Sequence, residues 1–294
     1  MIKIDYYDQV LRDPSNMGRI RREFGCKTGG IIAGCVGAVD GWLVKIRSPR
    51  FNEVDNPGKY FSRKQVYGIS VQVIVDKRKR VLWRYIGEMG SSRDSQVFHE
   101  SKLGKFLELH RAIMQDMGIY IVGDSAYALR NYLLCPYDYA GVGSPEDAFN
   151  YYLSSCRIYV ECCFGEVDRR WGVLWRPIEG MLKKKKIVVD ACLRLHNYIV
   201  DEMEASCESD DEENFTEEET IEILNEANAE MGMVHSNPFE RVFASLDSDG
   251  GVGINETSPQ SPNEMELQGL GKEVRDKLRD ELWSEGFRRP PNKD

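Results

Sequence analysis

The chain has 294 residues, with 39 Lys and Arg against 48 Asp and Glu, a net charge of −9. That length holds one large domain or two small ones. No apolar run approaches the roughly 20 residues of a membrane helix, and the N-terminus MIKIDYYDQV lacks a charged-then-apolar signal pattern, so neither membrane association nor secretion is expected. The eight cysteines form no C-x-x-C pair and sit mostly in apolar segments, which argues against a zinc site and for free thiols in a reducing compartment.

Residues 1–33 read as a helical and loop lead-in with a basic patch at Arg19, Arg21 and Arg22. GCVGAVDGWLVKI (34–46) is nearly continuous in apolar residues, as a central strand buried on both faces would be. Asp40 interrupts it. After a polar loop, VYGISVQVIVD (66–76) alternates cleanly. The turn DKRKR leads into VLWRYIGEMG (81–90), and the two runs predict a hairpin. SSRDSQVF (91–98) opens a helix with Ser and Asp at capping positions. Val97, Leu103, Phe106, Leu107, Ile113 and Met114 continue one helical stripe, with Gly104 its possible break. YIVGDSAY (120–127) is the next strand. Ser144 and Pro145 then start a long helix over 144–174, with Phe149, Tyr152, Cys156, Tyr159, Cys163, Val167 and Trp171 at helical spacing. A last amphipathic helix spans 187–200.

The net charge hides a split. Residues 1–200 carry 31 Lys and Arg against 22 Asp and Glu, whereas residues 201–294 carry 8 against 26. A basic body suits a polyanionic partner, and an acidic tail suits disorder or self-masking. Residues 203–294 therefore read as a largely disordered tail with a short helix at 271–283. In the body the cations cluster at Lys59, Arg63 and Lys64, at Lys77 and Arg78, at Arg169 and Arg170, and at Lys183 and Lys184. Any one cluster can be a solvated face; as a set they point to phosphate contacts.

Strand, hairpin, helix, strand, helix, helix predicts an α/β fold with a mixed sheet covered by helices. Its central strand should lie between the hairpin on one side and 119–124 on the other. Val36, Ala38 and Asp40 share parity, as do Tyr120, Val122 and Asp124, so two apolar faces each end in an acid. Such an acid caps a turn or holds a metal. Two adjacent carboxylates repel unless a cation lies between them, and Mg²⁺ takes oxygen ligands. Glu161, beside the stripe of the long helix, is a third candidate. Asp168 is its rival. Asp94 caps the helix or stands near the metals, and His196 with Asn197 reads as a polar junction.

VDG at Asp40, YFSRKQVYGISVQVIVD, GSSRDSQVF, GDSAY at Asp124, VECCFGEVDRRWGVL at Glu161 and LRLHNYI at His196 occur in that order. Together they resemble the catalytic region of the Harbinger/PIF-type DDE transposases. The resemblance covers roughly residues 30–202. It implies an RNase H-like nuclease domain (34–202), with Asp40, Asp124 and Glu161 as the catalytic metal ligands. It further implies two Mg²⁺ or Mn²⁺ ions and DNA as substrate in the nucleus. Members of the family usually carry a longer N-terminal region, whereas about thirty residues precede the first motif here: either the chain is a fragment, or a separate Myb-like DNA-binding partner reads the DNA ends, and self-association is a further expectation. The family's first motif reads DGT followed by His, whereas this chain has DGWLV. A domesticated, inactive DNA-binding or chromatin protein is the alternative, and an interaction protein acting through its acidic tail is a third class.

Overall fold

The computed structural model describes residues 10–87, 89–208 and 263–291. Five strands form one mixed sheet: β1 (Cys35–Lys45), β2 (Gly68–Val75), β3 (Val81–Ile86), β4 (Tyr120–Val122) and β5 (Leu133–Leu134), in the order β3-β2-β1-β4-β5. β1 is central because its first half, Cys35 to Val39, is apolar on both faces and wholly buried. β2 pairs with it antiparallel, placing Asp40 opposite Val73 and Gly41 opposite Gln72, and β3 completes the hairpin. β4 runs parallel to β1, and β5 parallel to β4. The hairpin and the flanking of β1 match the sequence reading; β5, only two residues long, was not foreseen. Helices on the sheet faces complete an RNase H-like α/β fold.

The hairpin turn is organised by Asp76. It is 0% exposed, its Oδ1 accepts from the amides of Arg78 and Arg80 at 2.9 Å, and Arg19 reaches its other oxygen. Burial nevertheless dominates and pushes its pKa up to about 6.

The stripe over 91–116 folds as three helices, α2 (Asp94–Glu100), α3 (Lys102–Leu109) and α4 (Arg111–Asp116), rather than one. The first break is Ser101, which turns extended, donates to the Phe98 carbonyl and accepts the Gly104 amide. A hydroxyl offers the backbone an alternative to the helix ladder. Gly104 lies inside α3: a Cβ there would come 2.1 Å from the Phe98 carbonyl oxygen, so only glycine allows the turn to fold back this tightly.

α5 (Pro145–Arg170) follows the expected signals. Ser144 accepts from the Asp147 amide, Pro145 opens the first turn, and acids lead while Arg169 and Arg170 close. Phe149, Leu153, Cys156, Val160, Cys163 and Val167 form its buried stripe, which packs on β1, β2 and β4. α6 (Leu182–Glu208) is longer than expected at both ends and lies on β3. There the fully buried Asn197 accepts from the Val81 amide and donates to the Val81 carbonyl, both at 2.8 Å. This supplies the edge strand with partners it would otherwise lack.

At the N-terminal end, α1 (Pro14–Gly25) is capped by Asp13 and buries Met17, Ile20 and Phe24. The helix expected at 271–283 is α7 (Glu264–Ser284), which packs on α5 with Leu282 fully buried. An Asn263–Glu266 capping box starts it, so residues 264–269 belong to a docked helix, not to a loose tail. The rest of the tail, 209–262 and 292–294, lies outside the described residues. Among the described residues no helix is long and apolar enough to cross a membrane.

Candidate active site

The register explains how two acids distant in sequence meet. Ala38 of β1 pairs with Val122 of β4. Two residues beyond that pair stand Asp40, still within β1, and Asp124, just past the end of β4, and the two charges act on each other. Asp40 shares its face with Val73 and Trp42, and Trp42 stacks on Phe164 of α5 at 5.5 Å. That face is the one α5 covers. Asp40 Oδ1 accepts from the Gly41 amide at 2.7 Å, and Asp124 Oδ1 accepts from the Ala126 amide at 2.9 Å. Asp124 thus does cap a turn, while its charge also bears on Asp40.

Burial raises the Asp40 pKa to about 6, against the Gly41 hydrogen bond; Asp124 and Asp94 push it further up, and Arg157 opposes them. The folded protein therefore holds this proton more tightly than the unfolded chain between pH 3.8 and about 6. The stability it contributes is complete below that window and is lost as pH rises through it. Asp40→Asn is expected to stabilise the metal-free protein by roughly 1–2 kcal/mol at pH 7.5 and by almost nothing near pH 4. Urea unfolding in EDTA at the two pH values measures this; equal stability of variant and parent at pH 7.5 would show that the Asp40 charge is not strained.

Asp94 approaches β1 from the opposite face. It is the first residue of α2, but the helix has Arg93 as N-cap and no side-chain cap bond, so Asp94 does not cap. Gln72, fully buried on β2, donates its Nε2 to the Asp94 carbonyl at 2.6 Å and to its Oδ1 at 3.3 Å. The close approach depends on Gly41: a Cβ there would lie 2.2 Å from Asp94 Oδ1. Asp94 feels Asp124, and Lys64 offsets it, although burial is the main cause of its raised pKa. Asp124, in the loop beyond β4, is therefore in the field of both Asp40 and Asp94.

Glu161 lies on α5 with its side chain 61% exposed. Arg157 joins it to Asp40: Nη2 stands 3.7 Å from Glu161 Oε1 and 3.9 Å from Asp40 Oδ2. As they stand, no three His, Cys, Asp or Glu side chains among the described residues are close enough to hold a metal ion. The surroundings nevertheless suit one. The donors are carboxylate oxygens, matched to Mg²⁺ or Mn²⁺. A cation, Arg157, already stands between two of them. Two buried polar atoms nearby lack partners: Gln72 Oε1, and the Tyr127 hydroxyl, whose nearest charges are Asp94, Asp40 and Asp124.

The other candidates fall elsewhere. Asp168 lines a cavity of about 330 Å³ with Trp42, Phe164 and Trp175, and its carbonyl accepts the Trp175 indole N–H. His196 is fully buried: Nε2 donates to the Lys79 carbonyl and Nδ1 accepts from Arg170, which fixes a neutral tautomer, and burial keeps its pKa low. Of the basic residues, Lys59, Arg63, Lys64, Arg169, Lys183 and Lys184 are exposed. Lys77, Arg78 and Arg170 turn inward instead. Lys77 bonds the Glu23 carbonyl and Cys26, Arg78 pairs with Glu23 and Glu204, and Arg170 meets His196 and Glu166. Lys185 is 1% exposed and donates to the Arg47 carbonyl. The loop carrying Lys59 to Lys64 is tied to the segment before α2 by the Ser91 amide on the Lys59 carbonyl, and the Lys64 charge bears on Asp94.

The profile of the DDE superfamily endonucleases matches residues 39–197, from the residue before Asp40 to Asn197. The chain belongs to the DDE superfamily endonuclease family. The matched span encloses Asp40, Asp124 and Glu161, and it covers nearly all of the segment on which the motif order resembles Harbinger-type transposases. Protein ALP1-like of Arabidopsis thaliana is 25% identical over 201 residues, 64% of this chain and 48% of that protein. Putative nuclease HARBI1 of Xenopus laevis is 24% identical over 193 residues, 63% of this chain and 51% of that protein. The DDE-family chain thus spans about half the length of the curated relatives it matches. No solved structure matches it.

Proposed function

We propose that this DDE-family chain is a metal-dependent DNA endonuclease and strand transferase of transposase type, with Asp40, Asp124 and Glu161 as its metal ligands. The observation that carries the reading is the parallel register of β1 and β4, which brings Asp40 and Asp124 level within the span the family profile matches. Bound there, a pair of divalent cations would activate water and stabilise the departing 3′ oxygen. Asp40, within β1, and Asp124, in the loop just beyond β4, supply negative charge at one edge of the sheet's core strands. Glu161 adds its charge from α5, on the face that Asp40 shares. Lys59, Arg63 and Lys64 offer phosphate contacts, Lys64 within the field of Asp94, with Arg169, Lys183 and Lys184 elsewhere on the surface. The buried Tyr127 and Phe98 exclude water from behind the site. The name of one relative, putative nuclease, agrees with this reading. A nuclear location, a Myb-like partner that reads DNA ends, and self-association belong to the same proposal.

One observation favours a second reading, a transposase-derived DNA-binding protein without catalysis. Gly41 and Ala126 amides already bond Asp40 and Asp124, and Arg157 already neutralises Glu161. Incubating the purified chain and an end-binding partner with duplex DNA carrying element ends separates the two. Nicks or breaks in Mg²⁺ or Mn²⁺, absent in EDTA, are expected. Intact DNA under both metals, with partner and ends supplied, would sink the nuclease reading and favour the binding protein.

A further inference from the structure

Arg157 precedes Glu161 by four residues, so the two side chains leave the same face of α5. A helical pair of this kind is common and worth little on its own. Arg157 does more than form that pair, because its Nη2 stands almost as near to Asp40 on β1 as to Glu161, at 3.9 and 3.7 Å. Both separations are too long for hydrogen bonds. A guanidinium normally meets a carboxylate through short, paired N–H···O bonds. Here it is held by charge from a side chain only 17% exposed, and its Nε is buried without a partner. Neither carboxylate fixes the guanidinium in place, and the guanidinium neutralises both.

We propose that Arg157 is an internal counter-ion that competes with the divalent cation for Asp40 and Glu161. In the metal-free protein it relieves the charge of two acids brought together from β1 and α5. Metal and guanidinium cannot both occupy the space between those oxygens, so the cation loads only as Arg157 withdraws. A mobile side chain on a helix can do this without moving the sheet. DNA phosphate would offer the withdrawn guanidinium a bidentate partner. The inference rests on the reading of Asp40 and Glu161 as metal ligands, and the experiment is arranged so that the two can fail separately.

Mn²⁺ binding is titrated in DNA-free protein by the electron paramagnetic resonance signal of the free ion. The parent is compared with Arg157→Gln, Arg157→Lys and Arg176→Gln, each checked for folding by circular dichroism. Arg157→Met, which keeps the buried stem, replaces the glutamine variant if that one does not fold. Removing the charge is expected to tighten Mn²⁺ binding about tenfold, within the usual range of coupling between two sites. Arg157→Lys, which keeps a cation, should bind nearly as the parent does. Arg176→Gln, an exposed arginine beyond the end of α5, should leave the affinity unchanged. Equal affinity in the parent and the charge-removed variants would overturn the competition while leaving the metal site intact. Weaker binding would overturn it too, making Arg157 a support for Glu161 rather than a rival of the ion. No Mn²⁺ binding by any variant would overturn the ligand reading and the competition together.

Discussion

Asp124→Asn is expected to abolish Mg²⁺- or Mn²⁺-dependent DNA cleavage while leaving the fold and DNA affinity in place. Asn keeps the carbonyl oxygen that accepts the Ala126 amide, so the turn after β4 survives. What it loses is the charge. In the proposed site the ion's positive charge would be the largest, and each carboxylate's charge would help to hold it. Losing one donor to a transition state costs roughly 10²–10³ in rate, and weakening a metal site should cost at least that. Lys59, Arg63 and Lys64 are untouched, so phosphate contacts persist. Cleavage rate and duplex affinity, measured on the same preparation, check both halves. Unchanged cleavage would remove Asp124 from the mechanism.

The largest effect on stability is expected at Phe149. It is 1% exposed near the start of α5, and its ring meets the edge of Tyr137 at 5.4 Å. Tyr137 in turn lies beneath the Arg275 guanidinium of α7, 3.8 Å from the ring centroid. One side chain thus links α5, the segment after β5 and α7. Truncating a buried Phe to Ala costs about 3–5 kcal/mol, from lost burial and the cavity left behind. Phe149→Ala should lower the unfolding free energy by that amount, read as a lower urea midpoint with little change in slope, whereas Tyr151→Ala, two residues on and 38% exposed, should cost about 0.5 kcal/mol or less. A loss below about 1 kcal/mol at Phe149 would show that the site collapses without α5 as its anchor.

Where burial dominates, the sequence was legible. β1 announced itself by an apolar run with no alternation, β2 by strict alternation, and α5 by Ser144, Pro145 and a seven-position stripe. β5 escaped because two leucines inside YALRNYLLCPYD carry no period. The 91–116 stripe misled because periodicity registers which face is apolar, and not that the Ser101 hydroxyl can replace a helical bond and restart the chain. The extent of α7 was hidden by its charge, since Leu267, Gly271 and Leu282 are its buried positions.

The site divides the same way. Strand parity put Asp40 and Asp124 at the ends of two apolar faces, but it could not show the slip of one residue between the Cys35–Tyr120 and Ala38–Val122 pairs that sets the final register. Asp94 was half visible: its place at the start of α2 could be read, but its contact with Gln72 and its seat over Gly41 depend on tertiary approach. Arg157 was missed, although its spacing of four from Glu161 was a signal in plain sight. The cations at Lys77, Arg78 and Arg170 read as a surface patch, yet Glu23 and Glu204, which pair with Arg78, sit far off in the chain, and Glu166 lies one helical turn before Arg170.

The docking of α7 changes what the acidic stretch is. Residues 209–262 hold fourteen Asp and Glu against one Arg, and they run from the end of α6 to the Asn263 cap of a helix packed on α5. The polyanion is therefore a strap fastened at both ends, not a trailing end. If the body binds DNA as proposed, a stretch held at both ends would meet the same basic surface at a concentration that dilution hardly changes. Cutting the chain at 203 to remove it would also strip Leu282 from the core and Arg275 from Tyr137. Excising 209–262 and bridging the gap with a neutral linker keeps the buckle and discards the strap.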